Sequence, residues 1–269
     1  MSEFKDGLVS IVTPNYKCER FIAKTIDSVL AQTYTNWEMI IVDDCSPDNS
    51  YNIACEYAEK DSRIKVLKNE TNSGAAISRN MAIEVANGEF VAFLDSDDIW
   101  LPNKLERQIA FMKENNCDFS FTEYEHINEE DKTLLRVAKT IKHLTYIKMM
   151  FHCFVGCLTV VYNQNVVGKV YAQDIKKNND NALFYPVLRK CSNAMGIPEI
   201  LGLYRIRLGS ISRNKFKMIK PYIKVLHDFE KHNIFVSYFC VATHFALKIL
   251  WKYRKITINE SMADKYFNK

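Results

Sequence analysis

Short apolar runs alternate with longer segments of helical periodicity through the first half of the chain. Residues 8–13 (Leu-Val-Ser-Ile-Val-Thr) form a β-rich run closed by Pro14. Phe21, Ile22, Ile26, Val29 and Leu30 then recur at helical spacing. Residues 37–42 are a second strand of the buried type, ending in Asp43 and Asp44. Ser46-Pro47 reads as an N-cap with Pro at the first helical position, opening a helix through Tyr57. Residues 63–67 alternate as a third strand. Asn72-Ser73-Gly74 is a turn, 75–86 a helix of small residues, and Asn87-Gly88 its close. Residues 90–94 (Phe-Val-Ala-Phe-Leu) are wholly apolar and short, as a strand covered on both faces should be. A helix from about 101 to 115 and a strand at 119–122 follow.

Strand and helix in alternation predict an α/β fold, a mostly parallel Rossmann-like sheet with helices on both faces. Ligands of such sheets bind beyond the carboxyl ends of the strands. Asp43-Asp44 and Asp95-Ser96-Asp97-Asp98 both follow strands, so parallel strands put the two acid groups on one edge. Three acids within four residues repel one another unless a cation sits among them. Mg²⁺ or Mn²⁺ prefers oxygen ligands and leaves positions for phosphate oxygens, so the cluster reads as a metal site that holds a diphosphate. The competing reading is a solvated helix N-terminus, where acids are also favoured. A dinucleotide oxidoreductase needs a Gly-rich first turn, whereas Thr13-Pro14-Asn15-Tyr16-Lys17 has no Gly.

The chain has 269 residues, room for one large domain or a domain with an appendage. Its net charge of +4 is too mild for a nucleic-acid partner. Residues 1–6 are polar and carry no visible secretory leader. Eight cysteines without a framework spacing fit a reducing compartment. His152, Cys153 and Cys157 lie close in sequence but lack an evident fourth ligand, which fits buried side chains better than zinc.

Five ordered stretches resemble family 2 glycosyltransferases, inverting enzymes of the GT-A fold. They are residues 9–16, 28–34, 41–46, 72–80 and 88–98, and the resemblance covers about 6–125. A weaker match follows at 179–183 and at Tyr204-Arg205-Ile206-Arg207 with Ser210 and Ser212. The resemblance implies a hexose moved from a UDP-sugar to a saccharide hydroxyl. The acceptor it implies is carried on a polyprenyl diphosphate lipid, in bacterial surface polysaccharide synthesis. It implies that Tyr16 stacks on uracil, that Asp44 hydrogen-bonds its edge, and that Pro14 and Ser96 line the nucleotide sugar. Asp95 would face ribose and metal, with Asp97 the main ligand of Mn²⁺ or Mg²⁺. Arg79 would meet the phosphates or these acids. Arg207, where relatives often carry His, would reach the diphosphate.

The family commonly shows Glu-Asp at its catalytic motif, the Asp being the base. Here the pair is Asn179-Asp180. An inverting displacement needs one carboxylate to take the acceptor's proton and no covalent intermediate, so Asp180 suffices; Asp174 is the rival. The missing Glu keeps open a second reading, a catalytically silent nucleotide-sugar-binding relative. The resemblance divides the chain into a catalytic domain, 1–215, with nucleotide (1–125) and acceptor (126–215) halves, and a C-terminal helical extension, 216–269. Residues 126–155 read as a variable insertion with a helix at 145–151, and strands follow at 156–162 and 203–206. Residues 235–251 are apolar but hold Ser237, Thr243, His244 and Lys248, so they make a poor membrane span. With Trp251, Lys252, Tyr253, Arg254 and Lys255 they suit an in-plane helix on the inner, cytoplasmic face of the cell membrane. The alternative is a helix packed on the catalytic domain or on a homodimer partner.

Overall fold

The structure, a computed structural model, describes residues 4–152, 155–175, 178–207, 218–252 and 261–267, with side chains in the long C-terminal helix followed as far as 247. Cys153, Ser210, Ser212, Tyr253, Arg254 and Lys255 lie outside these residues, as do the side chains of Lys248, Trp251 and Lys252.

The chain runs β1 (Lys5–Asn15), α1 (Ile22–Leu30), β2 (Trp37–Asp43), α2 (Ser50–Lys60), β3 (Ile64–Lys68), α3 (Ala75–Val85), β4 (Gly88–Phe93), β5 (Ile99–Trp100) and α4 (Lys104–Glu114). It continues with β6 (Phe119–Ile127), β7 (Thr133–Ala138), β8 (His143–Leu144), α5 (Tyr146–Phe151), a 3-10 turn (Cys157–Thr159), β9 (Val161–Asn163), α6 (Gln164–Val167), α7 (Asn179–Lys190) and β10 (Ala194–Arg205). Then follow α8 (Ile219–Lys224), a π-helical turn (Val225–Phe229), α9 (Ile234–Lys252) and α10 (Met262–Phe267).

One sheet carries the order β3-β2-β1-β4-β9-β6-β10-β5, with β7 on β6 and β8 on β10. Strands β3, β2, β1 and β4 are parallel, as is the long β6–β10 pair. Short antiparallel β9 joins the two groups. Alternation along the strands explains the layers. Val9, Ile11, Met39, Ile41, Phe90 and Ala92 pack with Ile22, Ile26 and Val29 of α1 and Leu105 and Ile109 of α4. Val12, Ile40, Val42, Val91 and Phe93 face the other way, onto Ala82 and Ile83 of α3 and Leu183 and Phe184 of α7. Tyr222, Val225, Leu226, Cys240 and Val241 belong to that second cluster, so α8, the π-helical turn and the first part of α9 pack into the sheet's own core.

Several boundaries differ from the sequence pattern for local reasons. β1 runs on through Pro14 to Asn15. The Val12 carbonyl accepts from Leu94 N–H and the Asn15 carbonyl from Asp44 N–H, so the Pro14 nitrogen points past the end of β4, where no ladder bond is lost. Ser46-Pro47 does not open α2. The Ser46 N–H is held by Asp43 Oδ2 at 2.9 Å, and the helix starts at Ser50 behind Asn49. Asp95 to Asp98 do not cap a helix either, because β5 intervenes and α4 begins only at Lys104. The expected strand at 156–162 is a 3-10 turn followed by three strand residues. The expected strand at 203–206 is the end of a 12-residue strand, whose register shifts between Ile197 and Ile200, around Pro198.

Candidate active site

The carboxyl ends of β1, β2 and β4 converge on one edge, and each delivers acids or polar groups there. At β2, Asp43 and Asp44 are both buried. Asp43 accepts from Asn15 Nδ2 at 2.7 Å and from the Ser46 N–H at 2.9 Å. Asp44 Oδ1 accepts from Asn69 Nδ2 and from the Ser73 N–H, each at 2.7 Å, and Oδ2 accepts from the Gly74 N–H at 2.8 Å. Gly74 stands at φ +90°, a conformation that suits glycine, and that angle turns its N–H to the carboxylate just before α3. The motif 72–74 is therefore a cradle for Asp44. Asp44→Ala strands two backbone N–H groups and one amide. It is expected to lower unfolding free energy by about 1–3 kcal/mol, read by urea denaturation.

Tyr16 follows β1 and is half-exposed, with Lys17 Nζ 5.3 Å from its ring centroid. Pro14 and Ser96 are buried. Thr13 Oγ1 and Asn15 Oδ1, beside Tyr16, are buried without a hydrogen-bond partner among the described residues.

After β4 the acid loop is held from behind by a residue the sequence pattern does not single out. Arg205, buried at the end of β10, donates Nε to the Asp97 carbonyl and Nη1 to the Asn128 carbonyl, both at 2.8 Å, and its N–H meets Asp98 Oδ1 at 2.9 Å. Its Nη1 also pairs with Asp131 at 2.5 Å. Asp98 thereby serves the frame, with its carboxyl pushed well up by burial and by the charges of Asp97 and Asp95. Asp97 and Asp95 keep partly exposed carboxylates, 21% and 30%. Burial first, and Asp95 second, raise the Asp97 carboxyl above the usual range, against the pull of Arg207. Arg207 Nη1 lies 3.2 Å from Asp97 Oδ2 and 3.3 Å from Cys18 Sγ, while Nη2 donates to the Lys17 carbonyl at 3.1 Å.

Arg79 joins this loop to α7. Its side chain is 4% exposed; Nη2 meets Asp95 Oδ1 at 2.6 Å, and Nη1 lies 3.0 Å from both Asn179 Oδ1 and Asp180 Oδ1. Burial works against its charge, and Asp95, Cys157 and Asp180 outweigh it, so the guanidinium stays firmly protonated. Asp180 sits in the first turn of α7, where an acid is favoured. Its Oδ1 is turned inward, yet the side chain as a whole is 42% exposed, which leaves the second oxygen on the open side. Burial raises the Asp180 carboxyl above the usual range, Arg79 opposes this, Asp95 adds to it, and the Cys157 thiol lowers it by hydrogen bonding. Asn80 ties the approach to α7 down, bonding Ala172 through both its amide atoms at 2.7 and 2.8 Å. Asp174 is exposed. His152 packs its ring 5.3 Å from that of His244.

Among the described residues no group of three or more His, Cys, Asp or Glu is placed to hold a metal on protein ligands alone. Asp95 and Asp97 nonetheless fit a hard cation completed by substrate: two partly exposed carboxylates, one raised by the other's charge, on a loop fixed from behind.

The glycosyl transferase family 2 model matches residues 10–170. The chain belongs to that family. This glycosyltransferase is 42% identical over 235 residues to the Escherichia coli UDP-Glc:alpha-D-GlcNAc-diphosphoundecaprenol beta-1,3-glucosyltransferase WfgD, covering 87% of this chain and 91% of that one. It is 40% identical over 233 residues to the putative teichuronic acid biosynthesis glycosyltransferase TuaG of Bacillus subtilis, covering 87% and 92%. The structure of S. aureus TarS in complex with UDP-GlcNAc superposes with a TM-score of 0.70 at 19% identity, over 96% of this chain and 77% of that one, a likeness of fold. The mannosyltransferase PcManGT from Pyrobaculum calidifontis, in complex with GDP-Man and Mn²⁺, gives 0.63 at 13% identity over 97% and 78%. The α/β GT-A architecture expected from the sequence is the one the structure has.

Proposed function

We propose that this glycosyltransferase moves a hexose from a UDP-sugar, with inversion, to a hydroxyl of a saccharide carried on a polyprenyl diphosphate lipid, at the inner face of the membrane in bacterial surface polysaccharide synthesis. The observation that carries the reading is the Arg79 bridge. It sets Asp180, the only partly exposed acid of α7's first turn, against the acid loop that would hold the donor. WfgD takes a UDP-Glc donor and a diphosphoundecaprenol-linked acceptor, which supports the same substrate class here.

In this reading Tyr16 stacks on the uracil, and the open Oδ2 lone pair of Asp44 and the partnerless Thr13 and Asn15 oxygens meet its edge. Pro14 and Ser96 shape the floor of the nucleotide site. Asp97 and Asp95 hold Mn²⁺ or Mg²⁺, which when bound offsets charge on the leaving diphosphate. Arg207 then turns from Asp97 to the phosphates. Asp180 takes the proton of the acceptor hydroxyl as the new bond forms, on the face opposite the leaving group. Residues 1–215 make up the catalytic unit, and 216–269 a C-terminal helical extension.

Two measurements test this reading. A panel of UDP-hexoses, with UDP-glucose included, is offered with Mn²⁺ or Mg²⁺ and lipid-diphosphate-linked sugars. Release of UDP that depends on acceptor supports the transferase; binding without turnover across the panel supports a silent relative. Asp97→Asn is expected to fold and to lose the metal-dependent part of UDP affinity by calorimetry. Unchanged affinity with and without Mn²⁺ removes Asp97 from the metal site.

A further inference from the structure

The most exposed large apolar side chains among the described residues gather on two helices. Phe235, Ile147, Phe239 and Tyr238 are 80%, 64%, 62% and 57% exposed. Phe235 and Phe239 stand one turn apart on α9, and Ile147 stands one turn before Phe151 on α5. The Phe151 and Phe239 rings meet edge to face at 6.1 Å, and the His152 and His244 rings lie 5.3 Å apart further along. The two helices therefore run in the same sense, and their apolar pairs lie side by side as one stripe.

The charges on and just before the two helices are mostly basic, with Asp228 an exposed acid in the turn before α9. No Asp or Glu occurs from 231 to 252, nor within α5. Exposed Lys142 precedes α5, exposed Lys148 lies within it, and exposed Lys231 precedes α9. Glu230, beside them, is buried and taken up by Tyr146 and Arg189. No described helix is long and apolar enough to cross a membrane. An aromatic stripe with a cationic rim on helices that do not span is what an anionic bilayer surface holds in its headgroup region. Basic side chains gain from that surface potential, and the rings gain from leaving water.

We propose that the stripe formed by Ile147, Phe235, Tyr238 and Phe239 is the face with which this protein rests on anionic lipid. The proposal deepens the reading of a membrane-borne acceptor and rests on it.

The test uses the full chain and sedimentation with large vesicles, of phosphatidylcholine alone or mixed with phosphatidylglycerol. The wild type is expected to bind the mixed vesicles, and to bind them less as salt rises. Phe235→Ser/Phe239→Ser is expected to lose about tenfold or more in vesicle affinity. Val166→Ser, on an exposed apolar residue of α6, is expected to lose nothing. Circular dichroism and UDP calorimetry show that each variant is folded. Equal vesicle binding by the double variant and the wild type overturns the proposal, as does a wild type that ignores phosphatidylglycerol. A wild-type dimer in light scattering that the double variant dissolves, without vesicle binding, also overturns it and assigns the stripe to a second copy of this chain. Turnover on a short-chain, water-soluble acceptor separates the two ideas. If it survives in the double variant while vesicle binding is unchanged, the surface is wrong and the transferase reading stands.

Discussion

Asp180→Asn is expected to cut kcat by about 10²–10⁴-fold while UDP affinity stays near that of the wild type. The amide keeps the shape and the oxygen that faces Arg79, so the fold and the acid loop have little reason to move. What it loses is the ability to take a proton. The acids after β2 are committed to Asn15, Ser46 and the 72–74 cradle, and Asp98 is committed to Arg205, so none of these can substitute. Asp174 is the remaining rival. Should Asp180→Asn turn over normally and Asp174→Asn be inactive, the base moves to Asp174.

Arg79→Gln is expected to have the second large effect, on two separate readouts. Removing one partner of a buried ion pair costs about 3–5 kcal/mol when the remaining charge stays buried. Asp95 and Asp180 are partly exposed, so the loss should fall at or below the lower end of that range. The second readout is the pH profile. Arg79 is the larger of two groups, with Cys157, that oppose the upward push of burial on the Asp180 carboxyl. Without it the carboxyl rises further, and a base with a higher pKa becomes ionised only at higher pH. The acidic limb of kcat/KM is therefore expected to move to higher pH. A variant that is less stable but keeps the wild-type limb would show that Arg79 serves the fold alone.

The first half of the chain was legible because its strands are covered on both faces. Such strands appear as unbroken apolar runs, and alternate residues of β1, β2 and β4 do go to opposite layers. The acids at strand ends were legible for the same reason, since a parallel sheet puts all its carboxyl ends on one edge. Local competition hid the start of α2: a proline after a serine looks like a helix opening, but Asp43 takes the Ser46 N–H for the turn. Pro198 disguised the length of β10, because a bulge lets a proline sit in a strand that otherwise reads as broken.

Long-range pairing was legible only in part. Arg79 and Asn179 are 100 positions apart, and nothing in either motif states that one guanidinium spans them. Arg205 fixes the acid loop across 108 positions from inside a strand end, with no spacing signal of its own. The resemblance located Arg79 near phosphates or acids; the packing of α3 against β1 and β2 and of α7 against α3 decides that it reaches acids. The amide at Asn179 has a meaning only in that light, because it leaves Arg79 shared between two carboxylates instead of three.

The configuration of the new bond tests the central claim most directly. The enzyme is incubated with an α-configured UDP-hexose that it consumes, Mn²⁺ and a diphosphate-lipid-linked sugar. Proton NMR then reads the anomeric coupling of the freshly formed linkage. One displacement assisted by Asp180 predicts a β-linked product from the wild type and none above background from Asp180→Asn. An α-linked product would contradict the account, because it requires a second displacement and a nucleophile for which this site has no role.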